Sequence, residues 1–378
     1  MRTEGEKWLS AKLRGIQRLE GYSLDDPVEE VAKRLEFGLG DVVKLNANEN
    51  LFIPREKLLE LLREVVEEWD PRVYPQEEER GLKEKLADYL SVSPGQIVVG
   101  NGSDELIQQI TQLLEDHEQA LSVEPTFSMY RHSVSARGAE YVCVPLRNDF
   151  SLDSDRILRA MTPRSRILFL CSPNNPTANQ FGTDDVRSLV KDFPGLVIID
   201  EAYVEFAGHS MLSLLNEFEN VIVLRTFSKA FGLAGLRLGY AVASSEFAET
   251  CSERVQGPFP VSSFTLRVGA KMLSHRDIVD NAIEQLKAER EKLIQRLNEV
   301  DGIKAFDSQT NFVLFQTSTR SDRVRQRLVS KGVLVKNLGE VLHLKDCLRA
   351  TVGLPQMNVR LLDALEEILR EDVSPTNH

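Results

Sequence analysis

Cysteine is scarce. The 378-residue chain has four (Cys143, Cys171, Cys251 and Cys347), and no two form a C-x-x-C pair. That points to buried thiols in a reducing compartment, not to a disulfide framework. No apolar run approaches the roughly 18 residues of a membrane span. The opening MRTEGEKWLSAKLRG also lacks the uninterrupted apolar core of a signal peptide, so a soluble, cytoplasmic protein is expected. Positive charge is in deficit too, with 46 Lys and Arg against 58 Asp and Glu, a net charge of −12 and a pI near 5.2. Such a chain repels phosphate backbones and anionic lipid in the mean, so neither nucleic acid nor membrane is an expected partner. A local basic site can still hold a small anion. There is no G-x-S-x-G, H-E-x-x-H or P-loop, the six histidines are dispersed, and no repeat or low-complexity tract occurs.

What is present is ordinary globular composition, 42% hydrophobic and 28% charged, which excludes wholesale disorder. The length favours two domains, or one large α/β unit with an appendage. The first forty residues read as a helix, a GYSLDDP turn and a second helix, followed by a short strand in DVVKLNANEN. Helices are expected around Pro54 to Trp69 and in EERGLKEKLADYL. The rhythm then changes to short runs rich in Val, Ile and Leu: QIVVGNG, ALSVEP, YVCVPL, SRILFLCSP, LVIIDEAY, NVIVLRT and LGYAVAS. Several lack polar alternation, as strands buried on both faces do, and helical stretches such as TDDVRSLVKDF separate some of them. The pattern predicts an α/β fold, a mostly parallel sheet wrapped by helices. Past Phe264 a long charged helix (276–300), strands near FVLFQT, GVLVKN and CLRATVG, and a last helix (358–370) predict a smaller α+β lobe joined by the N-terminal segment.

Ligands of open α/β sheets bind beyond the carboxyl ends of the strands, and four polar clusters fall there. Lys229, between a buried-looking strand and the glycine-bearing AFGLAGLRLGY, sits where desolvation turns an amine into a Schiff-base nucleophile. Asp200 follows four apolar residues, and a buried carboxylate needs a cation such as a protonated pyridine nitrogen. Tyr203 and Asn175 can reach a neighbouring ring oxygen. Gly102, Ser103 and Asp104 open a helix whose free N–H groups suit a phosphate, with Ser228 and Arg237 completing a cup. Phe127 offers a flat wall. Each also has a plainer reading: a surface lysine, a strand-end turn, a capped helix, a core phenylalanine. Together they describe a pyridoxal phosphate site better than any hydrolase or metal site.

The ordered string LNANEN, RVYP, GNGSDELI, EPTFSMY, SPNNPTA, IIDEAYVEF, RTFSKAFGLAGLRLGY and CLRATVG resembles the fold-type I pyridoxal phosphate aminotransferases over nearly the whole chain. Within them it is most similar to the histidinol-phosphate aminotransferase branch. The resemblance implies pyridoxal 5'-phosphate as cofactor and a ping-pong transamination in histidine biosynthesis. Histidinol phosphate and 2-oxoglutarate would give imidazole acetol phosphate and glutamate. It implies that Lys229 forms the internal aldimine and shuttles the Cα proton, that Asp200 pairs with the ring nitrogen, and that Tyr203 and Asn175 meet the ring hydroxyl. Gly102, Ser103, Asp104, Thr226, Ser228 and Arg237 would surround the cofactor phosphate, and Phe127 would stack on the ring. Tyr74 would reach the phosphate from the partner subunit of a homodimer. Tyr22, Asn48, Lys336 and Arg349 fall at substrate-facing positions, and no metal is implied.

Residues 46–262 would form the large cofactor-binding domain, with 1–45 and 263–378 forming the small one. Some positions depart from the pattern: Lys336 stands where arginine is common, Ala178 where glycine is usual and Phe259 where tyrosine is frequent, and LNANENLFIP lacks the proline and glycine common after NANEN. They bear on substrate identity, since a lysine is a point charge that makes no bidentate fork. Rival readings are a threonine-phosphate decarboxylase, an aromatic-amino-acid aminotransferase and a non-catalytic regulatory module.

Overall fold

A computed structural model describes residues 2–19 and 27–373. Residues 21–26 of the GYSLDDP turn, Tyr22 among them, lie outside the described residues. The strand expected in DVVKLNANEN is only β1 (Val43–Lys44). Seven strands then build the main sheet: β2 (Ile97–Gly100), β3 (Gln119–Glu124), β4 (Glu140–Pro145), β5 (Ser165–Cys171), β6 (Leu196–Asp200), β7 (Val221–Thr226) and β8 (Gly239–Val242). Their spatial order is 2-8-7-6-5-3-4, and every contact is parallel except the two made by β8. All seven apolar runs are strands. Because β8 is antiparallel to both neighbours, β2 runs parallel to β7, and the carboxyl ends of β2, β3, β5, β6 and β7 share one edge.

Strand β7 shows why this sheet is covered on both faces. Ile222 and Leu224 pack with Leu106, Ile107 and Val134 from helices Ser103–Thr111 and Met129–Arg137. The alternate residues Val221 and Val223 pack on the other side with Val186 and Leu189 of helix Thr183–Asp192. Period-two alternation sends each set to a different core. Each fully buried aliphatic side chain contributes about 1.5–3 kcal/mol.

The C-terminal part carries β9 (Ile303–Ala305), β10 (Phe312–Thr317), β12 (Lys336–Val341) and β13 (Leu344–Thr351) in an antiparallel sheet of order 12-13-10-9. The run GVLVKN is split: β11 (Val333–Leu334) leaves this sheet to pair in parallel with β1, and Lys336 opens β12. The long helix is Arg276–Glu299, and it buries Val279, Ile283, Leu286, Leu293 and Leu297 on one face. The last helix starts three residues earlier than expected and ends three later, at Pro355–Val373. One apolar cluster runs unbroken from Val99 and Tyr240 of the main sheet to Phe312, Leu348 and Leu361. No described helix is long and apolar enough to cross a membrane.

Candidate active site

A cleft of about 630 Å³ opens at the shared carboxyl edge, and residues of both sheets line it. Its floor is the end of β6. Asp200 is 2% exposed, and its carboxylate accepts hydrogen bonds from the Tyr130 hydroxyl (2.7 Å) and the Ala202 N–H (3.1 Å). Burial raises its pKa to about 6, against the lowering effect of those two donors, while Asp104 and Glu201 add to the rise.

Lys229 stands in the turn after β7, which is tied by Ser228 N–H to Thr226 Oγ1 (3.1 Å) and by Gly232 N–H to the Lys229 carbonyl (3.1 Å). Its Nζ donates to the Ala47 carbonyl at 3.4 Å and lies 5.6 Å from the centre of the Tyr203 ring. Desolvation, helped by the Arg349 charge, lowers its pKa to about 8, so a useful fraction is free base near neutrality. Tyr203 is buried. Its hydroxyl accepts from Asn48 Nδ2 at 3.0 Å, and burial pushes its pKa up.

The second end of the cleft is the start of helix Ser103–Thr111. Gly102, just before it, has φ +84°, and a Cβ there would lie 2.6 Å from Arg237 Nη2. Gly239 in β8 is as constrained, since its Cβ would lie 2.4 Å from the Ser103 nitrogen. The two glycines let a helix N-terminus, with its unpaired N–H groups, close on a guanidinium. Arg237 donates to Asp104 Oδ2 (3.0 Å) and to Ser228 Oγ (3.3 Å). The Thr226 hydroxyl donates to the Leu238 carbonyl (3.2 Å). Gly102, Ser103, Asp104, Thr226, Ser228 and Arg237 therefore meet in one corner.

The third side comes from the smaller sheet. Lys336 and Arg349 are cross-strand partners on β12 and β13, so two cations stand side by side. Arg349 donates to Asn175 Oδ1 (2.6 Å) and to the Asn46 carbonyl (3.0 Å). Asn48 has φ +53°; its N–H donates to Thr351 Oγ1 and its carbonyl accepts from Asn311 Nδ2. Phe127 lines the wall, edge-on to Tyr130 with centroids 5.7 Å apart. Tyr74 is elsewhere: it is 72% exposed and stacks on Phe259 at 4.9 Å, outside the cleft of its own chain.

Two features escaped the reading of the sequence. Tyr130 is fully buried against Asp200; its signal was its place three residues after Phe127, at the start of the next helix. Behind the sheet, Glu201 and Arg225 form a buried pair at 2.8 Å, to which Ser210 and the Met211 N–H also bond. An arginine inside the apolar run NVIVLRT needed such a partner. The adjacent acids Asp200 and Glu201 serve opposite faces, one the cleft and the other Arg225. Among the described residues no cluster of three or more His, Cys, Asp or Glu is placed to hold a metal ion.

A mostly parallel sheet with an amine, a desolvated acid and an anion corner at its carboxyl edge suits the chemistry of an aminotransferase. The chain belongs to the family of class I and II aminotransferases, whose model matches residues 40–365. Among known proteins it is similar to the histidinol-phosphate aminotransferase of Caldanaerobacter subterraneus subsp. tengcongensis, 37% identical over 86% of this chain and 93% of that one. The histidinol-phosphate aminotransferase of Bacillus velezensis is 36% identical over 94% of this chain and 98% of its own length. Among solved structures, the histidinol-phosphate aminotransferase of Sinorhizobium meliloti, in complex with pyridoxal-5'-phosphate, superposes with a TM-score of 0.83 at 26% identity. That match covers 93% of this chain and 96% of the other.

Proposed function

We propose that the protein is a pyridoxal 5'-phosphate-dependent aminotransferase that converts histidinol phosphate and 2-oxoglutarate to imidazole acetol phosphate and glutamate, a step of histidine biosynthesis. The observation that carries this reading is one cleft in which Lys229, an amine of depressed basicity, shares about 630 Å³ with the desolvated carboxylate Asp200. The cofactor fits on two counts. Asp200 bonds only neutral donors, so a protonated ring nitrogen would supply its missing countercharge. The anion corner, shaped by Gly102 and Gly239, suits a phosphate monoester.

When bound, the cofactor supplies an electron sink for the charge left on Cα after proton removal. Asp200 holds the countercharge at the ring-nitrogen end. Asn175 turns its oxygen to Arg349, which leaves its amide N–H groups for the ring hydroxyl oxygen, with the Tyr203 phenol as a second donor. Phe127, which lines the cleft, would wall one face of the ring. Lys229 would hold the cofactor and, once released from it, would carry the proton taken from the substrate Cα, a role that its lowered pKa suits near neutral pH. Lys336 and Arg349 form the cationic rim for anionic substrate groups, joined by Asn48; the substrate contact expected of Tyr22 lies outside the described residues. Expulsion of water by the bound substrate strengthens each of these contacts.

Residues 46–262 form the cofactor domain in this reading, and 1–45 with 263–378 form the small domain, a grouping supported by the pairing of β1 with β11. The working unit is a homodimer in which Tyr74, exposed on its own chain, completes the partner's phosphate corner. Four free cysteines fit a cytoplasmic location. The test is a steady-state assay with histidinol phosphate and 2-oxoglutarate beside phenylalanine, tyrosine and threonine phosphate. Histidinol phosphate should have the highest kcat/KM. Carbon dioxide release from threonine phosphate, or equal use of the aromatic amino acids, would refute the narrow assignment.

A further inference from the structure

Asp200 is presented to the cleft by a side chain from another layer of the molecule. Tyr130 lies in the first turn of helix Met129–Arg137, three residues after Phe127. Its ring is fully buried, stacked on Phe169 of β5 with centroids 4.7 Å apart and an interplanar angle of 6°. Phe127 meets it edge-on at 5.7 Å. Packing of this kind leaves the phenol no freedom to swing, and its one hydroxyl is spent on Asp200 Oδ2 at 2.7 Å. The Ala202 N–H takes the other oxygen at 3.1 Å, so the carboxylate is gripped at both ends before any ligand arrives. Cys171, Asp200's register neighbour on β5, donates its thiol to the Pro173 carbonyl at 3.2 Å and does not compete for the acid.

We propose that Tyr130 is a positioning residue for the ring-nitrogen end of the cofactor site: it orients the Asp200 carboxylate and keeps it ionised, and through Phe127 it couples that orientation to the aromatic wall. The physical reason is the cost of a buried charge. A carboxylate out of water reverts to the neutral acid unless donors favour its charged form. A neutral acid at Asp200 would offer a ring nitrogen no countercharge. A phenol donates one hydrogen bond and brings no charge of its own, so it favours the carboxylate without neutralising it. Burial alone works against ionisation here, and the Tyr130 bond is the largest influence opposing it. The other titratable groups that act on Asp200 are Asp104, Glu201, Cys171 and Tyr203. The cations of the same cleft, Lys229, Arg237, Lys336 and Arg349, make no hydrogen bond or ion pair with it, which leaves the hydroxyl as the lever.

The proposal rests on the cofactor assignment above, and its test separates the two. In cofactor-free protein, the Asp200 carboxyl is followed against pH by infrared difference spectroscopy or by carbon NMR, with Asp200→Asn identifying the signal. Tyr130→Phe keeps the stacked ring and removes only the donor. Its Asp200 midpoint should rise by about one pH unit, and pyridoxal phosphate should bind roughly tenfold more weakly near that midpoint, the usual scale for a hydrogen bond to a charged group. In the Asp200→Asn background the same substitution should leave cofactor affinity unchanged. Incorporation of 3-fluorotyrosine at position 130, a stronger donor with nearly the same shape, should lower the midpoint, and it provides the test if the phenylalanine variant folds poorly. An unmoved midpoint, or an equal loss of affinity in the Asp200→Asn background, would show that Tyr130 only packs and would overturn the proposal. Failure of the unsubstituted protein to bind pyridoxal phosphate at all would sink the cofactor assignment instead.

Discussion

At the scale of single residues, chemistry and burial oppose one another at two positions, and the conflict identifies the site. Lys229 and Asp200 are both held away from water, and burial pushes each towards its neutral form. Replacing Lys229 by Ala should reduce turnover by at least ~10²–10⁴-fold and abolish covalent capture of cofactor by borohydride, checked by mass spectrometry of the active-site peptide. Asp200 also makes a statement about stability. Its folded pKa is raised from 3.8 to about 6, so between those values the folded chain holds a proton that the unfolded chain has lost. Its contribution in cofactor-free protein should be greatest at low pH and fade as pH rises through about 6, by an amount on the order of 2–3 kcal/mol. Denaturant titrations of wild type and Asp200→Asn at several pH values check this; parallel curves would refute it. Both residues were legible because each follows an apolar strand, where a charged side chain has no ordinary reason to stand. Tyr130 was not, because a buried aromatic on a helix looks like core until its hydroxyl is seen to have a partner. Arg225 and Glu201 were missed for a related reason: the partners are 24 residues apart, and strand register alone brings them together.

At the scale of elements, the apolar runs made every strand of the main sheet legible, since strands buried on both faces show little else. The direction of β8 was hidden. LGYAVAS looks like any of its parallel neighbours, and nothing in its composition records the reversal that carries Gly239 to the helix start. Nor did GVLVKN show its split between two sheets, because the run is short enough for one strand and the switch falls at the single residue Val335. The contact of β8 with helix Ser103–Thr111 gives an element-level prediction. Gly239→Ala would press a methyl against backbone atoms of Gly102 and Ser103, which cannot rotate away. The helix should be displaced, with a loss of about 1–3 kcal/mol in urea denaturation and weaker binding of pyridoxal phosphate, while the Asp200 end is untouched.

At the scale of the whole molecule, the expected small lobe shares its apolar core with the large one, so no break in packing marks the boundary expected near residue 262. The proposed homodimer gives a test at this scale. If Tyr74 acts in the partner's site, Tyr74→Ala and Lys229→Ala chains, each nearly inactive alone, should recover about a quarter of wild-type activity after random mixing, since half the dimers would be hybrids with one intact site in two. No recovery, in mixtures shown by native mass spectrometry to contain hybrids, would place Tyr74 outside the partner's site. The pairing of β1 with β11 reaches further still. Val43 lies opposite Val333, so a strand made early in translation has its hydrogen-bonding neighbour emerge from the ribosome only when most of the chain has been synthesised. Until then the LNANEN segment, which brings Ala47 and Asn48 to Lys229 and Tyr203, has no β11 to anchor it. The nascent protein can build its central sheet while still on the ribosome, but a competent catalytic cleft must wait until β11, far behind β1 in the chain, has been read.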